Sequence, residues 1–139
     1  GVSIVKRIYI IGETKREEQR KFLEKVSEHF TNHGFAIYMP HQHVKDEADV
    51  DAKKFYAIHM SFLKSSCMLV ADISSPSLRL GIELEKANSL KIPICVLHKK
   101  ESRVDELVKG MPMVRNIIQY SSEDVMLENF EMYFETLGL

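Results

Sequence analysis

Residues 70–87 read VADISSPSLRLGIELEKA. The apolar run from Cys67 to Val70 leads into Asp72, and the cluster Ser74-Ser75-Pro76-Ser77 has turn chemistry. From Leu78 the apolar spacing becomes helical, with Leu80, Leu84, Ala87 and Leu90 on one stripe. Glu83 falls inside that stripe, whereas Glu85 and Lys86 fall outside it. A carboxylate turned inward near the start of a helix is costly unless something uses or satisfies it. A strand, a turn and a helix with an acid at the join make one α/β unit.

The unit repeats along the chain. Arg7 to Gly12, Phe35 to Met39, Cys67 to Ile73, Ile92 to Leu97 and Asn116 to Tyr120 read as strands. Between them, helices are expected over Lys15 to His33, from about Val50 to Lys64, from Leu78 to Leu90 and over Glu101 to Lys109. Gly34 is the expected stop of the first helix, Pro40 closes the second strand, and His41 to Val50 is expected to be a loop. Met126, Phe130, Tyr133, Phe134 and Leu137 give one last helix, capped by Ser121 or Ser122.

The strands are continuously apolar, as a sheet buried on both faces requires. The expected fold is α/β: a doubly wound, five-stranded parallel sheet in the flavodoxin-like order 2-1-3-4-5, with helices on both faces. In that order ligands bind beyond the carboxyl ends of the first and third strands. Gly12 ends the first, Asp72 to Ser77 ends the third, and Glu83 follows, so the inward carboxylate falls at that crevice.

Length and composition narrow the class. The chain has 139 residues, 45% hydrophobic and 28% charged, which suits one globular domain over residues 1–139, with residues 1–5 expected to be a flexible start. A net charge of −1 provides no global field to draw nucleic acid or an anionic membrane, and neither is expected as a partner. No apolar run approaches the roughly 18 residues of a spanning helix, and no leader pattern opens the sequence. Cys67 and Cys95 lie in expected strands without a spacing motif, like reduced core thiols, so a cytoplasmic, intracellular location is expected. His41-Gln-His43 is the nearest approach to a metal pair, and no metal or other cofactor is expected.

Each candidate residue has a plain and a functional reading. Glu83 is a nucleophile or general base, or a helix-start glutamate bonding backbone N–H groups. A carboxylate nucleophile suits glycosidic-bond cleavage, because it can trap an oxocarbenium-like centre as a covalent ester. Ser77, with Ser74 and Ser75, precedes a helix N-terminus that favours anions, or simply caps it. Arg79 adds a cation there or is solvated surface. Gly12 permits close approach of a ligand, yet Gly12-Glu-Thr is no G-x-G-x-x-G fingerprint. The Tyr9 hydroxyl reaches the crevice or packs in the core. His59 shares a helix face with Phe55, Phe62 and Leu63, where a histidine is more often packed than catalytic.

These residues carry a family likeness over nearly the whole chain. Tyr9-x-x-Gly12, with Ala71-Asp-Ile-Ser-Ser-Pro-Ser-Leu-x-x-Gly81-x-Glu83-Leu-x-x-Ala87-x-x-Leu90-x-x-Pro93-Ile, resembles the nucleoside 2-deoxyribosyltransferase family. It is most similar to the 2′-deoxynucleoside 5′-phosphate N-hydrolase branch. The resemblance implies that Glu83 attacks the anomeric carbon of a 2-deoxyribose and releases the base, with water or a second base completing hydrolysis or transfer. It implies that Tyr9 orients the nucleophile, that Ser77 and the backbone at Gly12 bind a 5′-phosphate, and that Gly81 belongs to the site motif. Ser102 matches a serine that this branch donates across a dimer interface, so a homodimer acting on a small nucleoside or nucleotide is expected.

The sequence also departs from the family. The family keeps an aspartate in the second helix where this chain has His59; a protonated imidazole there could serve a departing base. Glu13-Thr-Lys-Arg16 replaces a small glycine-containing loop with an arginine, and Arg79 replaces a glycine. The expected function is cleavage or transfer of the N-glycosidic bond of a 2′-deoxynucleoside or its 5′-monophosphate through Glu83, with His59 and Tyr9 assisting. The alternatives are a nucleotide or sugar-phosphate-binding module on the same fold and, further off, an NAD-cleaving enzyme of the Toll/interleukin-receptor type.

Overall fold

A computed structural model describes residues 4–43 and 51–139. Val50, the rest of the expected loop beyond His43, and the first three residues lie outside them. The elements are β1 (Arg7–Ile11), α1 (Glu17–Asn32), β2 (Ala36–Tyr38), α2 (Pro40–His43), α3 (Ala52–Lys64), β3 (Met68–Asp72), α4 (Leu78–Ser89), β4 (Ile94–Lys99), α5 (Glu106–Lys109), β5 (Val114–Tyr120), α6 (Glu123–Glu128) and α7 (Phe130–Thr136). All strand pairs are parallel and the order is β2-β1-β3-β4-β5, as expected.

The two-residue period of the strands sorts side chains between two layers. Ile8, Ile10, Met68, Val70, Cys95 and Leu97 pack with Phe22, Leu23, Val26 and Phe30 of α1 and with Met126 and Phe130. Tyr9, Ile11, Leu69, Ala71, Ile94 and Val96 face the other way, onto Met60 and Leu63 of α3 and Leu80, Leu84 and Ala87 of α4. Each fully buried large apolar side chain contributes on the order of 1.5–3 kcal/mol, so β1, β3 and β4 anchor the molecule. Tyr9, on β1, is thereby directed to the α3/α4 layer that also carries His59 and Glu83.

Local chemistry ends the helices where the sequence provides it. Gly34 takes φ 89° just after α1, a left-handed position that glycine adopts without a Cβ penalty. Asp51 accepts from the Lys53 N–H to cap α3, and Ser77 accepts from the Leu80 N–H at 3.3 Å to cap α4. Of the two serines offered for the last cap, Ser122 is the one used, accepting from the Val125 N–H.

Several expected bounds are corrected. Pro40 does not merely close β2; it opens the single-turn helix α2, where its fixed φ and missing N–H cost nothing. The helix expected from Glu101 begins only at Glu106, because Asp105 caps it while Ser102 bonds back to Lys99 in a turn. The last helix is two, α6 and α7. At Asn129 (φ −104°, ψ 18°) the backbone leaves helical geometry, and the side-chain amide donates to the Val125 carbonyl at 2.8 Å beside the backbone N–H. Finally, β5 alternates buried and exposed residues instead of being continuously apolar, as an edge strand can.

Candidate active site

Glu83 is 3% exposed, one turn and a half into α4, on the stripe with Leu80, Leu84 and Ala87. Its Oε2 accepts a 2.7 Å hydrogen bond from the Tyr9 hydroxyl, across 74 residues of sequence. Burial pushes its pKa up to about 6, while the Tyr9 hydrogen bond and the Arg79 guanidinium pull it down. The Tyr9 phenol is pushed well above its ordinary range by burial and by the facing carboxylate, so it keeps its proton and donates.

Two clefts meet at Glu83. The first, ≈ 280 Å³, is lined by Gly12, Thr14, Pro40, His41, Ser77, Arg79 and Glu83 among others, at the carboxyl ends of β1 and β3. The second, ≈ 370 Å³, runs between α3 and α4 and is lined by Phe55, Tyr56, His59, Met60, Leu78, Arg79, Ile82 and Glu83. The first is polar and borders the N-terminus of α4, where backbone N–H groups and the helix dipole favour an anion. The second is aromatic and apolar. Arg79 belongs to both, with its guanidinium 5.1 Å from the Phe55 ring centroid.

Gly12 has a packing reason as well as a site position. A Cβ there would lie 2.8 Å from Leu23 Cδ1 and 3.4 Å from Asp72 Cβ, so a larger residue would make the buried Leu23 side chain shift where α1 closes over the end of β1. Asp72 itself is committed to the scaffold. It accepts from the Ser74 N–H at 2.9 Å and from the Tyr120 hydroxyl, and Ser74 Oγ accepts from the Lys99 N–H at 2.8 Å. That network ties the turn before Ser77 to β4 and β5.

The expected site residues divide into three groups. Tyr9, Gly12, Ser77, Arg79 and Glu83 come together at the first cleft, and Ser77 both caps α4 and lines it. His59 is 3% exposed in the adjoining cleft, with Nδ1 3.0 Å from the Tyr38 hydroxyl and its ring 4.1 Å from that of Phe55. Gly81 and Ser102 lie elsewhere. Gly81 lines grooves on the flanks of α4 away from Glu83, with nothing within 4 Å of a Cβ built there. Ser102 Oγ donates to the Lys99 carbonyl at 2.8 Å and lies 3.3 Å from His98 Nδ1, after β4.

Sequence reading missed Tyr38 and Thr14. Tyr38 is paired in register with Tyr9, their rings 5.1 Å apart, and its pKa is pushed up to about 12 by burial and by Glu83. Two aromatic hydroxyls at matched positions of adjacent parallel strands were the available signal.

The burial of Glu83 has a thermodynamic consequence. Its folded pKa of about 6 exceeds the reference 4.5, so between those values the folded chain binds more protons than the unfolded one. Stability from this group is therefore full below about pH 4.5 and falls as pH rises through 6. The gap corresponds to about 2 kcal/mol. Glu83→Gln should be more stable than wild type at pH 8 by up to about that amount, with the advantage shrinking toward pH 4, in denaturant melts. An advantage equal at both pH values would mean that the folded carboxyl titrates normally.

The comparisons with known proteins bear on this geometry. No protein-family model matches the chain. A Methanosarcina mazei protein with the provisional name 2′-deoxynucleoside 5′-phosphate N-hydrolase 1 is 28% identical over 85 residues, 60% of this chain. That match spans 53% of the relative, about half its length. Among solved structures, a Clostridium botulinum CMP N-glycosidase superposes with a TM-score of 0.73 at 19% identity, covering 92% of this chain and 99% of that one. A 2-deoxyribosyltransferase from Bacillus psychrosaccharolyticus gives 0.68 at 12% identity, covering 87% and 90%. The α/β fold is shared with these structures, and the relatives' names support the resemblance to the nucleoside 2-deoxyribosyltransferase family.

Proposed function

We propose that this chain is an enzyme that cleaves or transfers the N-glycosidic bond of a 2′-deoxynucleoside or its 5′-monophosphate, with Glu83 as nucleophile. The observation that carries the reading is the buried Tyr9–Glu83 hydrogen bond at the junction of a polar and an aromatic cleft. A glycoside with a charged or polar end and a flat base needs two such compartments, with the reacting carbon where they meet. The names of the relatives, an N-hydrolase, an N-glycosidase and a deoxyribosyltransferase, point to the same bond.

In this reading the sugar and any 5′-phosphate lie in the first cleft, against Gly12, Ser77 and the N-terminus of α4, with Arg79 as counter-charge. The base lies in the second, beside Phe55, Tyr56 and His59. The Glu83 carboxylate attacks C1′, an ester bond forms, and the C1′–N bond breaks with its electron pair leaving on the base. Tyr9 holds Oε2 so that the other carboxylate oxygen faces C1′, and His59 donates a hydrogen bond to the departing base, which takes its proton from the water or second base that attacks next. Water or a second base then attacks C1′ and frees Glu83. The nucleophile must be ionised, so the rate should rise with pH through about 6.

The test is chromatography of deoxynucleosides, their 5′-monophosphates, CMP and NAD after incubation with the protein. Base release from a nucleoside or nucleotide supports the reading, and release from NAD alone replaces it. If nothing is cleaved while a monophosphate raises the melting temperature, the chain is a binding module on this fold.

A homodimer of single-domain subunits is part of the proposal. Tyr56, Ile58, Leu78 and Ile82 leave large apolar surface exposed on α3 and α4, and two-fold pairing is the commonest assembly. Ser102 would then serve the neighbouring subunit's site. Sedimentation at tens of micromolar should give a dimer; a monomer would remove Ser102 from the site. Free thiols at Cys67 and Cys95 favour the cytoplasm as the place of action.

A further inference from the structure

We propose that Asp72 and Tyr120 are positioning residues: a buried ring of hydrogen bonds through them sets the place of the turn that carries Ser77, and with it the affinity of the first cleft for the sugar-phosphate end of the substrate. The inference rests on the reading above for what enters that cleft.

The ring joins three strand ends. The Tyr120 hydroxyl, at the end of β5, donates to Asp72 Oδ2 at the end of β3. Asp72 Oδ1 accepts from the Ser74 N–H at 2.9 Å, and Ser74 Oγ lies 3.4 Å from the Tyr120 oxygen, which closes the ring. Ser74 Oγ also accepts from the N–H of Lys99, at the end of β4, at 2.8 Å. Burial pushes the Tyr120 phenol well above its ordinary range and the facing Asp72 carboxylate adds to that, while hydrogen bonding with Ser74 and with Gln19 of α1 acts against it. The phenol therefore keeps its proton and donates, which leaves its oxygen to accept from the Ser74 hydroxyl. Donation runs one way round the ring, and bonds so arranged strengthen one another away from water. Asp72 and Tyr120 are both buried, and the Tyr120 ring packs on that of Phe22 at 5.2 Å between centroids.

The strand itself does not need the ring. Past Asp72, β3 is already tied to β4 by the Ile73 N–H, which donates to the Leu97 carbonyl at 2.9 Å. What the ring adds is a hold on the turn beyond the strand.

Neither Asp72 nor Tyr120 lines the first cleft, so they act through what they hold. Only Ser75 and Pro76 separate Ser74 from Ser77, and the fixed φ of Pro76 leaves little slack between the ring and the Ser77 hydroxyl. Asp72 Cβ also sits 3.4 Å from the point a Cβ would occupy at Gly12, on the other side of the same cleft. One side chain thus packs against Gly12, just past β1, and through Ser74 places Ser77 at the start of α4. A phosphate held between them needs both sides within hydrogen-bond reach, and such bonds weaken steeply as their geometry opens.

The experiment is titration of the wild type and Tyr120→Phe with 2-deoxyribose 5-phosphate, the part shared by the candidate monophosphates. Binding is followed by the backbone amide shifts of Gly12 and Ser77, beside amide hydrogen exchange. Tyr120→Phe keeps the ring on Phe22 and removes only the hydroxyl. It should speed exchange at the Ser74 and Lys99 N–H groups and raise the Kd for the sugar phosphate, each by roughly tenfold. On a monophosphate that the wild type cleaves, the loss should fall in KM more than in kcat. A merely structural pair would lower the melting temperature and leave the Kd where it was. An unchanged Kd in folded Tyr120→Phe, or wild-type exchange at both amides, overturns the proposal while the glycosidase reading stands. Ser74→Ala, at a half-buried position, cuts the hydroxyl link to Tyr120 and Lys99 and makes the same test if Tyr120→Phe does not fold. A wild type that binds no 2-deoxyribose 5-phosphate at Gly12 and Ser77 overturns the sugar-phosphate reading of the cleft, and this proposal with it.

Discussion

Glu83→Ala should lower base release by on the order of 10⁴-fold or more on whichever substrate the wild type cleaves, while the fold survives. The size follows from the role. Without the carboxylate no ester can form, and the residual rate is that of a bound substrate meeting water. The fold should survive because α4 keeps Leu80, Leu84 and Ala87 against the sheet, and its Ser77 cap is untouched. Glu83→Gln keeps the shape and an acceptor for Tyr9, so it separates nucleophilicity from packing and should be as inactive as Glu83→Ala. The two variants are compared by initial rates and by far-ultraviolet circular dichroism. A Glu83→Gln variant releasing base within tenfold of wild type would mean that the carboxylate is not the nucleophile.

His59→Ala should slow the same reaction by roughly 10²-fold, within the range usual for a lost donor to a leaving group. The loss belongs in kcat more than in KM, because a hydrogen bond from the imidazole matters most as the base gathers charge. His59→Gln, which returns an N–H donor without a titrating ring, should recover part of that loss. His59→Asp should do so only toward acidic pH, where the carboxyl still holds a proton. Steady-state kinetics on the three variants decides the matter. Equal kcat for wild type and His59→Ala would reduce His59 to a packed core histidine beside Phe55 and Tyr38.

The sheet was legible because strand–helix alternation and right-handed crossovers leave few arrangements, and the apolar runs at Arg7–Ile11 and Met68–Asp72 suit only interior strands. Glu83 was legible for a related reason: a carboxylate on a helix stripe contradicts burial unless the site needs it, and the structure gives it Tyr9 as partner. What stayed hidden depends on contacts between distant segments. Tyr38 looked like one more apolar position of a short strand, and only the pairing Tyr9↔Tyr38 turns it toward His59. The break at Asn129 was hidden because helical spacing runs straight through it, while the backbone leaves helical geometry at that one residue. The function of His59 was not legible from periodicity, since a packed histidine and a donor to substrate share the same helix face.

The central claim is a covalent bond between Glu83 and C1′. Its most direct test is rapid acid quench of the wild type with a cleaved substrate, followed by peptide mapping by mass spectrometry. The account predicts a glycosyl ester on the peptide that contains Glu83, absent from Glu83→Gln. Base release in a rapid burst with no ester on any residue, or with the ester on a residue other than Glu83, would contradict it.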